Sequence, residues 1–545
     1  MLNTLNSKYN FSSLDTNLKY LIEGDELVVP FPPNSFSLNC NDWTQEAILR
    51  LAVNSSWLKF QVNYDNLDLS YRLPSNEQNE QINWENLREL LKNLLELKND
   101  ETLLVQSGQV IDTVKSDKSS PRAFFINTSK EKFENIKEKS LQLYENSLYN
   151  NISYSGYQEL LYEIYKFYFK ISQDYFQGSL KNKLIVSSGL GRVGAIQALA
   201  IKMNGGVAIV SEINKSKVKR VVEGGFCQVM YEDLEVAFDV AFEAKRYGHA
   251  KSIALFANSA DVIPKLVDKG FVPNVVTDLS NSSNSLNGFI PSGYYYDDVV
   301  RIRRYDPQHY KNLSNHSAML EVKSMLELQK RGSIVFESGN NIREKAYNKG
   351  LENAFSMPSF IEKYMYPILY SDKLKFKFIS LTSNEEDILF IDDIIINELS
   401  DNKNLTEWIN KLESDLDFQG LSSRICKMTY EEGVKVAKKI NEKIKNEEIT
   451  SPIALVVSNF EHITNDKIDR KSIDILNSVT GLPKNVDWVS LNRVENNENE
   501  CFINSEIGIL INGKDETIEK IEQISKDTME KIKNIRFIME NKQSN

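Results

Sequence analysis

The sequence predicts an α/β protein organised around a parallel, doubly wound sheet, with further mixed α/β structure before and after it. Three observations lead there. An apolar strand runs straight into a glycine-rich loop that opens a helix; strands and helices alternate through the middle third of the chain; and both ends lack that alternation.

The loop is the most informative element. Leu184–Val186 reads as a strand, Gly189-Leu190-Gly191-Arg192-Val193-Gly194 as the loop, and Val193–Met203 as the helix. The helix ends at Asn204-Gly205-Gly206, before the strand Val207–Val210 delivers Glu212. In a Rossmann-type unit Gly189 makes the tight turn, Gly191 lets the backbone approach a pyrophosphate, and Gly194 lets helix and strand pack closely. The N–H groups at the helix start meet the phosphate charge. A carboxylate at Glu212, where a ribose is recognised, favours NAD over NADP.

The pattern continues with helices at Lys217–Val222, Asp233–Tyr247 and Val262–Lys269, and strands at Ser252–Phe256 and Val275–Asp278, after a helix at Tyr157–Phe169. This spacing implies right-handed βαβ crossovers, with ligands at the carboxyl ends of the strands. Three regions follow: 1–150, 151–350 and 351–545. The first mixes a helix at Trp84–Leu97 with strands at Leu103–Gln106 and Ala123–Ile126, and carries a polar loop at Ser75–Gln81. The last holds a helix at Tyr430–Asn446, strands at Ile453–Val457 and Ile507–Ile511, a solvated loop at Asn496–Glu500, and an amphipathic helix along Ile518–Ile535 whose apolar stripe faces the core.

At 545 residues the chain needs more than one core, and 41% hydrophobic residues support full cores. A net charge of −11 with interspersed signs argues against nucleic acid as a partner. The N-terminal residues lack the pattern of a signal peptide and no apolar run is long enough to span a membrane, so a cytoplasmic protein is expected. Cys40, Cys227, Cys426 and Cys501 are far apart and are expected to be reduced thiols. The four histidines, His249, His309, His316 and His462, form no metal-ligand spacing, so no metal is expected.

Blocks along the chain resemble the urocanases, the urocanate hydratases of histidine breakdown. Besides the glycine loop, through Gln197, Leu199-Ala200 and Met203–Val207, they include Glu101–Gly108, Gly178–Lys181, Ala260–Pro264, Val275–Asp278, Leu286–Gly288, Gly339–Arg343, Phe418–Leu421 and Arg424-Ile425-Cys426. The resemblance implies a homodimer with an NAD domain inserted in a core domain made from the two ends of the chain. It also implies tightly held NAD used as an electrophile on a small-molecule substrate. On the matching positions Gly194, Glu212 and Asn258 hold the cofactor, while Lys217 and Ser259 replace the family's Arg and Ala. Cys426 falls on the active-site cysteine; its bland reading is a small buried side chain in a packed helix.

Other family motifs are replaced. Arg72-Leu73-Pro74 follows Tyr71 where a glycine loop is expected, Leu279–Asn284 replaces Gln-Thr-Ser-Ala-His-Asp, Ser338 replaces a Tyr, Asn146 a Gln, Lys377 the Arg expected to hold the substrate carboxylate, and Arg192 a loop glycine. Asn459–Ile463 and Arg493–Cys501 replace two further motifs. These changes predict a divergent lyase of hydratase type whose remodelled pocket includes Arg72, Arg192, Asn281, Ser338 and Lys377. The alternative is a non-catalytic paralogue that binds or scaffolds. An ordinary NAD-dependent dehydrogenase ranks last, since no Tyr-x-x-x-Lys constellation accompanies the loop.

Overall fold

The computed structural model describes residues 32–66, 84–130, 148–280, 289–339, 341–360, 373–412, 418–464, 485–495 and 500–523, with positions 18, 22, 282, 286, 363, 364 and 368. Tyr71–Pro74, Ser75–Gln81, Asn146, Asn281, Ser283-Asn284 and the segment beyond 523 lie outside the described residues, as do 496–499 of the expected polar loop.

Two sheets form the frame. The strands are β1 (Glu101–Gln106), β2 (Gln109–Lys115), β3 (Ala123–Lys130), β4 (Leu184–Ser188), β5 (Val207–Glu212), β6 (Val229–Tyr231), β7 (Lys251–Phe256), β8 (Val275–Asp278), β9 (Ile334–Glu337), β10 (Leu374–Ser380), β11 (Ser423–Met428), β12 (Ile453–Thr464), β13 (Trp488–Glu495) and β14 (Glu500–Ile511). The larger sheet has the order β11-β10-β12-β14-β13-β3-β1-β2 and is mixed. Its two halves come from opposite ends of the chain and join where β3 runs parallel to β13, from Ala123 opposite Trp488 to Lys130 opposite Glu495.

The smaller sheet has the order β6-β7-β5-β4-β8-β9, and every pairing in it is parallel. Its central strands are buried on both faces, as the unbroken apolar runs of β4, β5 and β7 require. Strand order reverses between β4 and β8, so the crevice for a ligand is expected at their carboxyl ends.

The helix Gln158–Tyr175 lies between the sheets and is buried along most of its length. Aromatic contacts hold both sides, with Tyr165 4.9 Å from Trp408 and Phe167 4.4 Å from Phe360 between centroids, and the helix runs past the expected end at Phe169, where Ile171 and Ser172 are still buried. One sequence reading changes, since Cys426 stands on β11 rather than a helix. Asn459–Ile463 lies within β12, Arg493–Glu495 ends β13, and Glu500, placed by the sequence in a polar loop, begins β14. The helix Pro307–Lys330 and the strands β6 and β9 have no counterpart in the sequence reading. Among the described residues no helix is long and apolar enough to cross a membrane.

Candidate functional site

The glycine loop follows β4 and sits at the strand-order reversal. Gly189 has φ +79°, and its N–H donates to the Ser211 carbonyl at 2.8 Å, tying the turn to the end of β5. A Cβ on Gly189 would lie 2.5 Å from the Leu279 carbonyl oxygen, which shows how closely the loop after β8 approaches. A Cβ on Gly194 would lie 1.7 Å from the Gly189 carbonyl oxygen, so the helix can start only without a side chain there.

Gly191 differs from both. No atom lies within 4 Å of where its Cβ would be. It is the N-cap of the helix Arg192–Met203 and, being glycine, has no side chain of its own to cap that end. The neighbouring helices Lys215–Glu223 and Leu234–Tyr247 are capped by Asn214 and Asp233. A helix N-terminus that begins at a glycine with open space beside it fits a pyrophosphate. Arg192 turns away from that space: its guanidinium donates to the Tyr154 hydroxyl at 3.1 Å and lies 5.6 Å from the Tyr149 ring centroid.

Glu212 ends β5 as expected, but its oxygens already have protein donors. Oε2 accepts from the Leu190 N–H at 3.0 Å and Oε1 from the Asn214 N–H at 2.9 Å. It therefore fixes the glycine loop, and each oxygen keeps a second lone pair for a ribose hydroxyl. Lys217 is half-buried in the first turn of the helix that Asn214 caps.

Asn258 and Ser259 have structural partners. The Asn258 side-chain oxygen caps the helix Ser259–Lys269 through the Ala260 N–H at 3.1 Å, and its Nδ2 donates to the carbonyls of Ile290 at 3.2 Å and Pro291 at 2.9 Å. Ser259 faces Glu321, a fully buried carboxyl on the helix Pro307–Lys330. Burial, reinforced by the charges of Asp278 and Asp261, pushes the Glu321 carboxyl well above the usual range, and the Ser259 hydroxyl opposes this only in part.

Asp278, at the end of β8, accepts from the Ser188 hydroxyl and from the Ser280 N–H at 3.1 Å and hydroxyl at 2.7 Å. It clasps the loop after β8 to β4. Ser338 is buried with its hydroxyl 2.8 Å from that of Thr277. Val193, Gln197, Leu279, Phe336 and Ser338 share with the central helix a cavity of about 10 Å³, room for about one water molecule. A dinucleotide ring entering there requires these walls to part.

The mixed sheet carries a buried charged layer. Lys377 is fully enclosed, with Nζ 2.5 Å from Glu159 Oε1, 2.8 Å from Glu506 Oε1 and 3.0 Å from the Ser153 hydroxyl. Lys375, two residues earlier on the same face, lies 3.1 Å from Glu163, which also lies 3.8 Å from Lys427. Burial works against the Lys375 ammonium, yet Glu163 and Glu159 outweigh it and raise its pKa; burial pushes Lys427 down. Three lysines face three glutamates, so the layer is neutral with all six ionised. The expectation that Lys377 lines a remodelled pocket is corrected: its side chain is fully enclosed and two internal carboxylates already meet its charge.

Cys426 is fully buried, and burial pushes its thiol far above the ordinary range despite the Arg424 guanidinium and the Trp408 indole. The thiol is therefore protonated, the opposite of an activated nucleophile. Arg424 beside it forms two 2.6 Å bonds to Asp392. Among the described residues no cluster of His, Cys, Asp and Glu could hold a metal ion. Sequence reasoning missed Asp278, Glu321, Glu159 and Glu506. Glu159 and Glu163 were open to notice, as acids four apart on an otherwise apolar helix face.

Urocanase family models match the chain in three consecutive stretches: the urocanase N-terminal domain at residues 33–146, the urocanase Rossmann-like domain at 156–364 and the urocanase C-terminal domain at 367–534.

Proposed function

The chain belongs to the urocanase family, and from that premise we propose a divergent hydro-lyase that holds NAD at the glycine loop and hydrates a conjugated heteroaromatic compound other than urocanate. The family supports a urocanase-like hydratase function in general. NAD, when bound, supplies an electrophilic ring that draws electrons from the conjugated system. This chain's own groups do the rest. The first-turn N–H groups after Gly191 and the helix dipole meet the pyrophosphate, and the spare lone pairs of Glu212 orient a ribose. The walls at Val193, Leu279 and Phe336 would part to admit the ring and would then flank it with apolar surface.

A substrate other than urocanate is supported by Lys377, whose charge is neutralised within the protein. The observation that carries the cofactor reading is the helix start at Gly191, where an added Cβ would have no atom of the described residues within 4 Å. Gly191→Val therefore separates ligand from fold. Native mass spectrometry of the purified protein is expected to show co-purifying NAD, lost in this variant while its stability stays within about 1 kcal/mol. Equal NAD occupancy in both proteins would sink the assignment. The same spectra report whether the protein is the homodimer that this reading includes.

A second reading, a non-catalytic paralogue, is favoured by the sealed, protonated Cys426. It expects Cys426→Ala to leave the cellular phenotype intact. Loss of phenotype in a folded Cys426→Ala protein would count against it.

A further inference from the structure

Away from the glycine loop, three polar groups converge at the end of the central helix. The Tyr175 hydroxyl lies 3.0 Å from that of Tyr364, and Lys363 Nζ donates to the same Tyr175 oxygen at 3.0 Å. The lysine also lies over both rings, 5.8 Å from the Tyr175 centroid and 5.2 Å from the Tyr364 centroid. Tyr175 is 42% exposed, whereas Tyr364 is buried at 3%.

The two phenols are not equivalent. Burial, with the hydrogen bond to Tyr175, pushes Tyr364 far up, so Tyr364 keeps its proton and donates. At Tyr175 burial acts in the same upward direction, but the Tyr364 hydroxyl and the bond and charge of Lys363 outweigh it and lower the pKa. Asp174, next in the chain, opposes this weakly and is itself paired with Lys170 at 2.5 Å. The hydroxyl oxygen of the partly exposed Tyr175 thus has two donors beside it, one of them cationic, which is the arrangement that activates a nucleophile.

We propose that Tyr175 is a nucleophilic tyrosine and a site of covalent modification by electrophiles at sulfur, phosphorus or acyl carbon that carry a good leaving group, with Lys363 and Tyr364 as its positioning residues. In the step, the Tyr175 oxygen bonds to the electrophilic centre and the leaving group departs with the electron pair of the broken bond. The phenol proton passes to solvent. The Tyr364 ring packs on Phe336 at 5.7 Å and on Phe167 at 5.4 Å, and both line the cavity behind the glycine loop. A group added at Tyr175 therefore sits one ring away from the walls that must part for a ligand.

The chain supplies its own controls. Tyr295, Tyr305 and Tyr247 are 82%, 79% and 63% exposed, all more open than Tyr175. The full-length protein is treated with limiting benzenesulfonyl fluoride, which would form the Tyr175 sulfonate ester and release fluoride, and labelled peptides are quantified over time. Tyr175 is expected to label first, with its pH profile displaced to lower pH than that of Tyr295. Lys363→Met and Tyr364→Phe are each expected to slow Tyr175 about fivefold, with Tyr295 unchanged as evidence of folding, and Lys363→Arg to restore most of the rate. Labelling in order of exposure, labelling of Lys363 in place of Tyr175, or a Tyr175 rate indifferent to Lys363→Met would each overturn the proposal.

Discussion

The glycine loop of the parallel sheet and the charged layer on the mixed sheet treat charge in opposite ways. At the loop, backbone donors stand at a helix start and one glycine borders open space. In the layer, Lys377, Glu159 and Glu506 are fully buried and Lys377 pairs with both carboxylates. The first arrangement leaves polar groups for a ligand to complete; the second has supplied the ligand's charge from within. Membership of the family therefore coexists with a lysine on β10 whose charge is met entirely within the frame.

The strongest way to break this contrast is Lys377→Met. It leaves Glu159 and Glu506 buried beside each other without their shared cation, and breaking such a pair costs about 3–5 kcal/mol. A large fall in the urea midpoint is expected, with partial recovery in the double variant Lys377→Met/Glu506→Gln, which removes one of the stranded charges. An unchanged midpoint in the single variant would mean that water reaches the layer and that Lys377 is free to meet a substrate.

The two regions also differ in how much the sequence disclosed. Gly189, Gly191 and Gly194 were legible because the demands on them are local: a positive φ, an open approach and a close contact, all within six residues. The parallel sheet was legible for a similar reason, since each strand and its crossover helix are neighbours in the chain. The charged layer was not. The run Leu374-Lys375-Phe376-Lys377-Phe378 alternates as a half-exposed strand does, and nothing local in it marks the lysines as buried. They are buried because the helix 218 residues earlier in the chain brings Glu159 onto that face, and β14, 129 residues later, brings Glu506. Cys426 misled in the same way: a retained Arg-Ile-Cys motif suggested a reacting thiol, while Arg424 is paired with Asp392 and the thiol is enclosed.

A smaller effect sharpens the contrast within the parallel sheet. Glu321 is buried like the layer's acids, but its nearest charges, Asp278 and Asp261, are of like sign. Its folded pKa is raised, so the native state keeps a proton that the unfolded chain releases above about pH 4.3. Stability from this group is therefore present below that pH and lost as pH rises toward the folded value, by at most about 1.4 kcal/mol per unit. Denaturation between pH 5 and 8 is expected to show Glu321→Gln with a flatter decline than the parent protein. Identical slopes would mean that Glu321 is ionised in the native state over this range.

The smallest effect tests where scaffold ends and ligand site begins. The family resemblance puts Asn258 against the cofactor, yet its oxygen caps a helix and its nitrogen holds two carbonyls of the segment that follows the loop after β8. With both ends of the amide engaged, its direct work is structural, and Asn258→Ala is expected to cost about 1–2 kcal/mol. NAD retained by the purified variant should fall little, because the first-turn donors after Gly191 are untouched. Loss of NAD at unchanged stability would reverse the reasoning. The amide would then reach the cofactor only by releasing Ile290 and Pro291, and the capped arrangement would be a resting state that ligand binding opens.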